Sequence, residues 1–133
     1  MSEPLRVLET RCAAPVDLER LQTSLDPLRT SPDVPPRDLM LFETALVEVA
    51  GNVVRAGGGR AMFEAVVVVT LWPDRLEAEL RDTGRPAPVD LDRPLPDALD
   101  EHGRGLPLAR AALDELRYEP GTPNRWLLVR RLR

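Results

Sequence analysis

The stretch RDLMLFETALVEVAGNVVRA, residues 37–56, decides how the chain is read. Its apolar positions Leu39, Phe42, Leu46, Val49 and Val53 advance by three and four, as one buried face of a helix does. Gly57-Gly58-Gly59 follows as a helix stop, and Thr30 to Pro36 precedes it as a proline-rich break. Beyond the glycines, Ala61 to Trp72 is rich in valine and reads as a well-buried strand closed by a turn at Pro73-Asp74. Arg75 to Asp82 then alternates Leu76, Ala78 and Leu80 with Glu77, Glu79 and Arg81, the period of a strand with one wet face. The two runs predict an antiparallel hairpin.

On the N-terminal side, Leu5 to Cys12 is a candidate opening strand. Val16 to Leu28 carries Leu18, Leu21, Leu25 and Leu28 at helical spacing, with Asp17 placed to cap its start. On the C-terminal side, Thr83 to His102 is rich in proline and aspartate and has no period, so it reads as a long loop of the kind that serves as a lid. Gly103-Arg104-Gly105 then opens a helix with Leu106, Ala109, Leu113 and Leu116 on one face, and Pro107 falls in its tolerant first turn. Arg125 to Leu132 is the last strand. The expected fold is α+β: a two-layer α/β sandwich in which helices cover one face of a mainly antiparallel mixed sheet, in one domain over residues 1–133.

Composition narrows the chemistry. The chain has 133 residues, 43% of them hydrophobic, and a net charge of −4, enough to bury a core without disulfides or structural metal. All 18 basic residues are arginine, which excludes a phosphate-loop lysine, Schiff-base catalysis and the strand lysine of eukaryotic-type kinases. One cysteine, Cys12, and one histidine, His102, cannot build a thiolate or two-histidine zinc site. The absence of a clustered basic run argues against direct nucleic-acid binding. No run approaches the roughly 20 apolar residues of a membrane span, and Met1-Ser2-Glu3-Pro4 lacks the features of a secretory signal, so the cytoplasm is the expected location.

Three sets of residues could carry chemistry. Glu48 and Asn52 lie one helical turn apart beside the apolar stripe, a spacing that can hold a divalent cation and polarise a hydroxyl; alone, the pair reads sooner as a solvated glutamate and a surface asparagine. Asp82 ends the alternating strand, where a carboxylate can accept a hydrogen bond from an amine and Gly84 lets a flat ring approach; Asp-Thr-Gly is also ordinary turn chemistry. Gly103-Arg104-Gly105-Leu106 places flexible glycines before the unpaired amides of a helix start, an anion site to which Arg104 can add charge-assisted bonds, though a lone Gly-x-Gly is unspecific. Bland readings suffice elsewhere. Cys12 fits a small buried apolar position and His102 an exposed loop. Trp72 and Trp126 fit core or rim packing. Arg130, Arg131 and Arg133 form a solvated basic tail suited to an acidic partner.

In order and spacing, these sets resemble the GHKL-type ATP-binding domains, the Bergerat fold, and among them bacterial anti-sigma factors that are also serine/threonine protein kinases. Glu48-Val49-Ala50-Gly51-Asn52 matches the asparagine box, Asp82-Thr83-Gly84 the first glycine box, Gly103 through Asp114 the second, and Gly121-Thr122 the small glycine-threonine element. The resemblance spans about residues 15 to 132. It implies that Asn52 ligates Mg²⁺ bridging the phosphates of ATP and that Glu48 acts as general base on a partner's serine or threonine hydroxyl. It further implies that Asp82 receives the adenine amino group, that Gly84 packs under the ring, and that Gly103 and Gly105 with Leu106 give the phosphate-binding helix start. Thr122 would close the adenine end, and residues 85–102 would be the lid. The implied partners are a sigma factor and an anti-anti-sigma antagonist, and the resemblance also allows a homodimer.

Three positions depart from the family pattern. Ala56 stands where a histidine is usual, Pro86 where a second glycine is usual, and Pro107 stiffens the start of the phosphate helix. Arg55 and Arg104 are candidates to supply compensating charge. The departures support an alternative reading, a degenerate, non-catalytic nucleotide-regulated binding module of the same fold. The ATPase half of a two-component histidine kinase is disfavoured, because the chain offers neither a dimerising helical hairpin nor a histidine placed on one.

Overall fold

A computed structural model describes residues 3–13, 18–57, 64–83 and 105–133. Helix α3 (Pro36–Gly57) is the long helix expected from the central stretch. It starts on a proline whose missing N–H costs nothing in the first turn. It buries Leu39, Phe42, Leu46, Val49 and Val53 as one stripe.

The strands form one five-stranded sheet in the order β1-β2-β3-β5-β4, comprising β1 (Arg6–Ala13), β2 (Glu64–Leu71), β3 (Arg75–Asp82), β4 (Glu115–Glu119) and β5 (Asn124–Arg131). All four pairings are antiparallel, so the parallel component allowed for by a mixed sheet is absent among the described residues. In β2 and β3 alternate side chains are buried, as the sequence period requires: Ala65, Val67, Val69 and Leu71, and then Leu76, Ala78, Leu80 and Asp82. These faces share one core with Leu21, Phe42 and Leu46 from the helices.

Two elements differ from expectation. The Val16 to Leu28 helix is interrupted, giving α1 (Leu18–Ser24) and a single turn α2 (Asp26–Arg29). Pro27 sits at the start of α2, where its ring and missing N–H prevent a continuous α-helical ladder. Leu21, Leu25 and Leu28 nevertheless remain buried together. Arg29 fastens α2 to α3 with a bidentate pair to Glu43 at 2.6 and 2.8 Å, which raises its pKa above the ordinary arginine value.

The second difference lies in the helix expected to run through Leu116. It ends at Ala112, as α4 (Gly105–Ala112), and Leu116 belongs to the edge strand β4. Asp114 makes the stop. Its N–H donates to the Val129 carbonyl at 2.8 Å, while its carboxylate accepts from the Arg131 N–H at 2.7 Å and from the Arg133 guanidinium at 2.5 Å. The Arg131 amide, together with Arg133, holds this carboxyl below its ordinary pKa against the opposing effect of burial.

Of the three C-terminal arginines expected in a solvated tail, Arg131 and Arg133 are exposed and Arg130 is not. Arg130 is 7% exposed. Its Nε donates to Asp38 Oδ1 at 2.9 Å and its Nη1 to the Ala112 carbonyl at 2.7 Å; the Arg133 N–H reaches Asp38 Oδ2 at 2.9 Å. One guanidinium thus joins the first turn of α3 to the last carbonyl of α4, a group that a helix end leaves without an internal partner.

Candidate functional site

Asp82 is the last residue of β3, on the face that Leu76, Ala78 and Leu80 turn to the core, and it is 4% exposed. A carboxylate at a core-facing position needs hydrogen-bond partners, because burying it bare is costly. Its neighbour in the sheet register is Asn124, the first residue of β5 and 1% exposed. Asn124 Nδ2 donates to Asp82 Oδ1 at 3.0 Å, and the Gly121 N–H donates to Asn124 Oδ1 at 2.9 Å. A relay through the buried Asn124 amide therefore connects the exposed turn at Gly121 to the carboxylate at the end of the central strand. Just beyond Asp82, the Thr83 N–H donates to the Glu64 carbonyl and Thr83 Oγ1 accepts from the Glu64 N–H, both at 3.0 Å, so the end of β3 is held on both sides.

Glu48 and Asn52 lie one turn apart on α3, both half-buried at the margin of the apolar stripe. Among the described residues no cluster of three or more histidine, cysteine, aspartate or glutamate side chains could hold a metal ion. The single amide oxygen of Asn52 suits Mg²⁺, which keeps most of its shell as water and phosphate oxygens and takes few protein ligands. Gly105 opens α4, and Leu106 is half-buried against the core. Thr122 is exposed in the turn before β5, two residues short of the side chain that bonds Asp82. The Arg55 side chain, Gly84, Gly103, Arg104, Pro86, His102 and the expected lid at 85–102 lie outside the described residues, as does the Ala56 side chain.

Asn124 is the residue that sequence reading missed. Its signal was available: Asn124, Trp126, Leu128 and Arg130 share one strand parity, and a strand begun one residue earlier puts the amide in the core-facing row opposite Asp82. The face of the sheet turned away from α3 carries a basin of about 500 Å³ floored by Val66 and Val68, with Asp82 and Thr83 reaching its wall. Its rim pairs Arg11 with Glu64 and Arg81 with Glu79, with Glu9 adjoining. The surplus of carboxylates makes this basin unsuited to a triphosphate.

The model of the histidine kinase-like ATPase domain family matches residues 13–130, nearly the whole length. The chain belongs to that family. These are GHKL-type ATP-binding domains, and the family includes anti-sigma factor kinases. Among solved structures, the histidine kinase domain from the Erythrobacter litoralis EL346 blue-light activated histidine kinase is similar, at 20% identity and a TM-score of 0.53. The match covers 86% of this chain and 59% of that one, and the likeness is one of fold. No curated protein matches the chain. Within this histidine kinase-like ATPase fold, Asn52 falls on the long helix α3 and Asp82 on the central strand β3 of the sheet. Among the described residues no helix is long and apolar enough to cross a membrane.

Proposed function

We propose that this chain is an ATP-dependent protein serine/threonine kinase of the anti-sigma type, which binds a sigma factor and phosphorylates its antagonist protein. The observation that carries the nucleotide half of this reading is the buried Asp82 carboxylate, held by Asn124 at the end of the central strand. A carboxylate so placed is an acceptor for the exocyclic amino group of adenine. Asn52 would hold Mg²⁺, which when bound supplies neutralisation of phosphate charge. Glu48, one turn away, would accept the proton of the attacking hydroxyl, and the rest of the rate would come from positioning. A second reading, a nucleotide-regulated binding module without turnover, is favoured by Ala56 and Pro86 in the sequence. Incubation with γ-labelled ATP and candidate antagonist proteins separates the two. Covalent label on a serine or threonine of the partner supports the kinase, and ATP binding without transfer supports the module. A chain that binds no adenine nucleotide overturns both.

A further inference from the structure

The donors and acceptors around Asn124 fix its role. The Gly121 N–H can only donate and the Asp82 carboxylate can only accept, so the Asn124 amide has one orientation that satisfies both, with oxygen to the turn and nitrogen to the carboxylate. The contact to Asp82 is buried and the one to Gly121 half-buried, so a misdirected amide would set its nitrogen against the Gly121 N–H and its oxygen against the carboxylate. Asn124 is also held on the backbone, because β5 pairs with β3 through Asp82 itself. The carboxylate that would read the base is thereby locked at one oxygen by a side chain that is itself locked by the turn.

We infer that Asn124 is a positioning residue that sets purine selectivity, by holding Asp82 in the orientation that accepts an amino group at C6 of the ring. The inference rests on the nucleotide-binding reading above and adds to it the determinant of base choice. ADP carries the amino donor, whereas inosine diphosphate has a keto oxygen in its place, which would face the carboxylate as a second acceptor. A site built around a hydrogen bond rejects the analogue that lacks it.

The test compares ADP and inosine diphosphate by calorimetry on the wild-type chain, Asn124→Ala and Asn124→Leu; leucine keeps the volume of the amide but offers Asp82 no hydrogen bond. The wild type is expected to prefer ADP by about tenfold or more. Each variant that melts cooperatively should narrow the preference to within about threefold, chiefly by losing affinity for ADP. Equal losses for both nucleotides, the signature of a merely structural residue, overturn the inference, as does an unchanged preference. Wild-type protein that binds ADP without preferring it removes Asp82 as the base reader, and wild-type protein that binds neither nucleotide removes the nucleotide reading as well. The side-chain amide resonances of Asn124 give an answer without substitution. They should shift on addition of ADP and stay in place with inorganic pyrophosphate; identical spectra with and without ADP overturn the inference.

Discussion

Glu48 and Asn52 differ in the step they would serve, and single substitutions separate them. Glu48→Gln keeps size and hydrogen bonding but removes the basic oxygen, so ATP affinity should be retained while phosphoryl transfer falls by about 10²-fold or more, as read by label transfer to the partner. Asn52→Ala removes the neutral oxygen offered to the cation, so calorimetry should show ATP binding that no longer responds to Mg²⁺. Asp114 gives a prediction independent of activity. Its carboxyl is held below its ordinary pKa by the Arg131 amide and Arg133, so its contribution is complete above the unfolded-state value near 4 and is lost as the pH falls through the lower, folded-state value. Asp114→Asn should therefore cost about 1 kcal/mol at neutral pH, with the gap to wild type closing below about pH 4 in urea titrations. At this scale spacing and strand parity single out Glu48, Asn52 and Asp82 as candidates, whereas Asn124 meets Asp82 through a pairing across 42 positions of chain that no local spacing announces.

Elements were legible where one period persisted. The long helix and the strand ending at Asp82 stand as expected because each holds its own rhythm over its full length. The edge strand β4 was hidden because Leu113 and Leu116 follow Leu106 and Ala109 at helical spacings of four and three. Only the alternation of Glu115, Arg117 and Glu119 with Leu116 and Tyr118 speaks against a helix there. Likewise the period of Leu18 to Leu28 survives a break that Pro27 imposes on the backbone alone. The Arg130–Asp38 pair acts between elements. Arg130→Met should cost about 3 kcal/mol in urea unfolding, since it strands a buried carboxylate and an α4 carbonyl. Adding Asp38→Asn to that variant should recover a large part of the loss by removing the stranded charge.

For the whole molecule, ligand binding and folding are linked. A chain that binds ATP only when folded gains about 2.7 kcal/mol at a hundredfold excess over Kd, which for this size is a rise in Tm of roughly 8–10 °C. Mg²⁺ with ATP should give that rise by scanning calorimetry, and the same Mg²⁺ alone should give almost none. Glycines 84 and 103 matched the family pattern by sequence alone, whereas the arrangement of the sheet depends on which strand lies in the middle. That strand is β3, with β2 and β1 on one side and β5 and β4 on the other. Backbone amides in a strand flanked on both sides open to solvent only when much of the protein comes apart, so they should exchange their hydrogens last. Asp82 closes that strand. The group assigned to grip the base is thus anchored in the slowest-breathing part of the architecture, and recognition of the purine should outlast any local loosening of the outer strands β1 and β4.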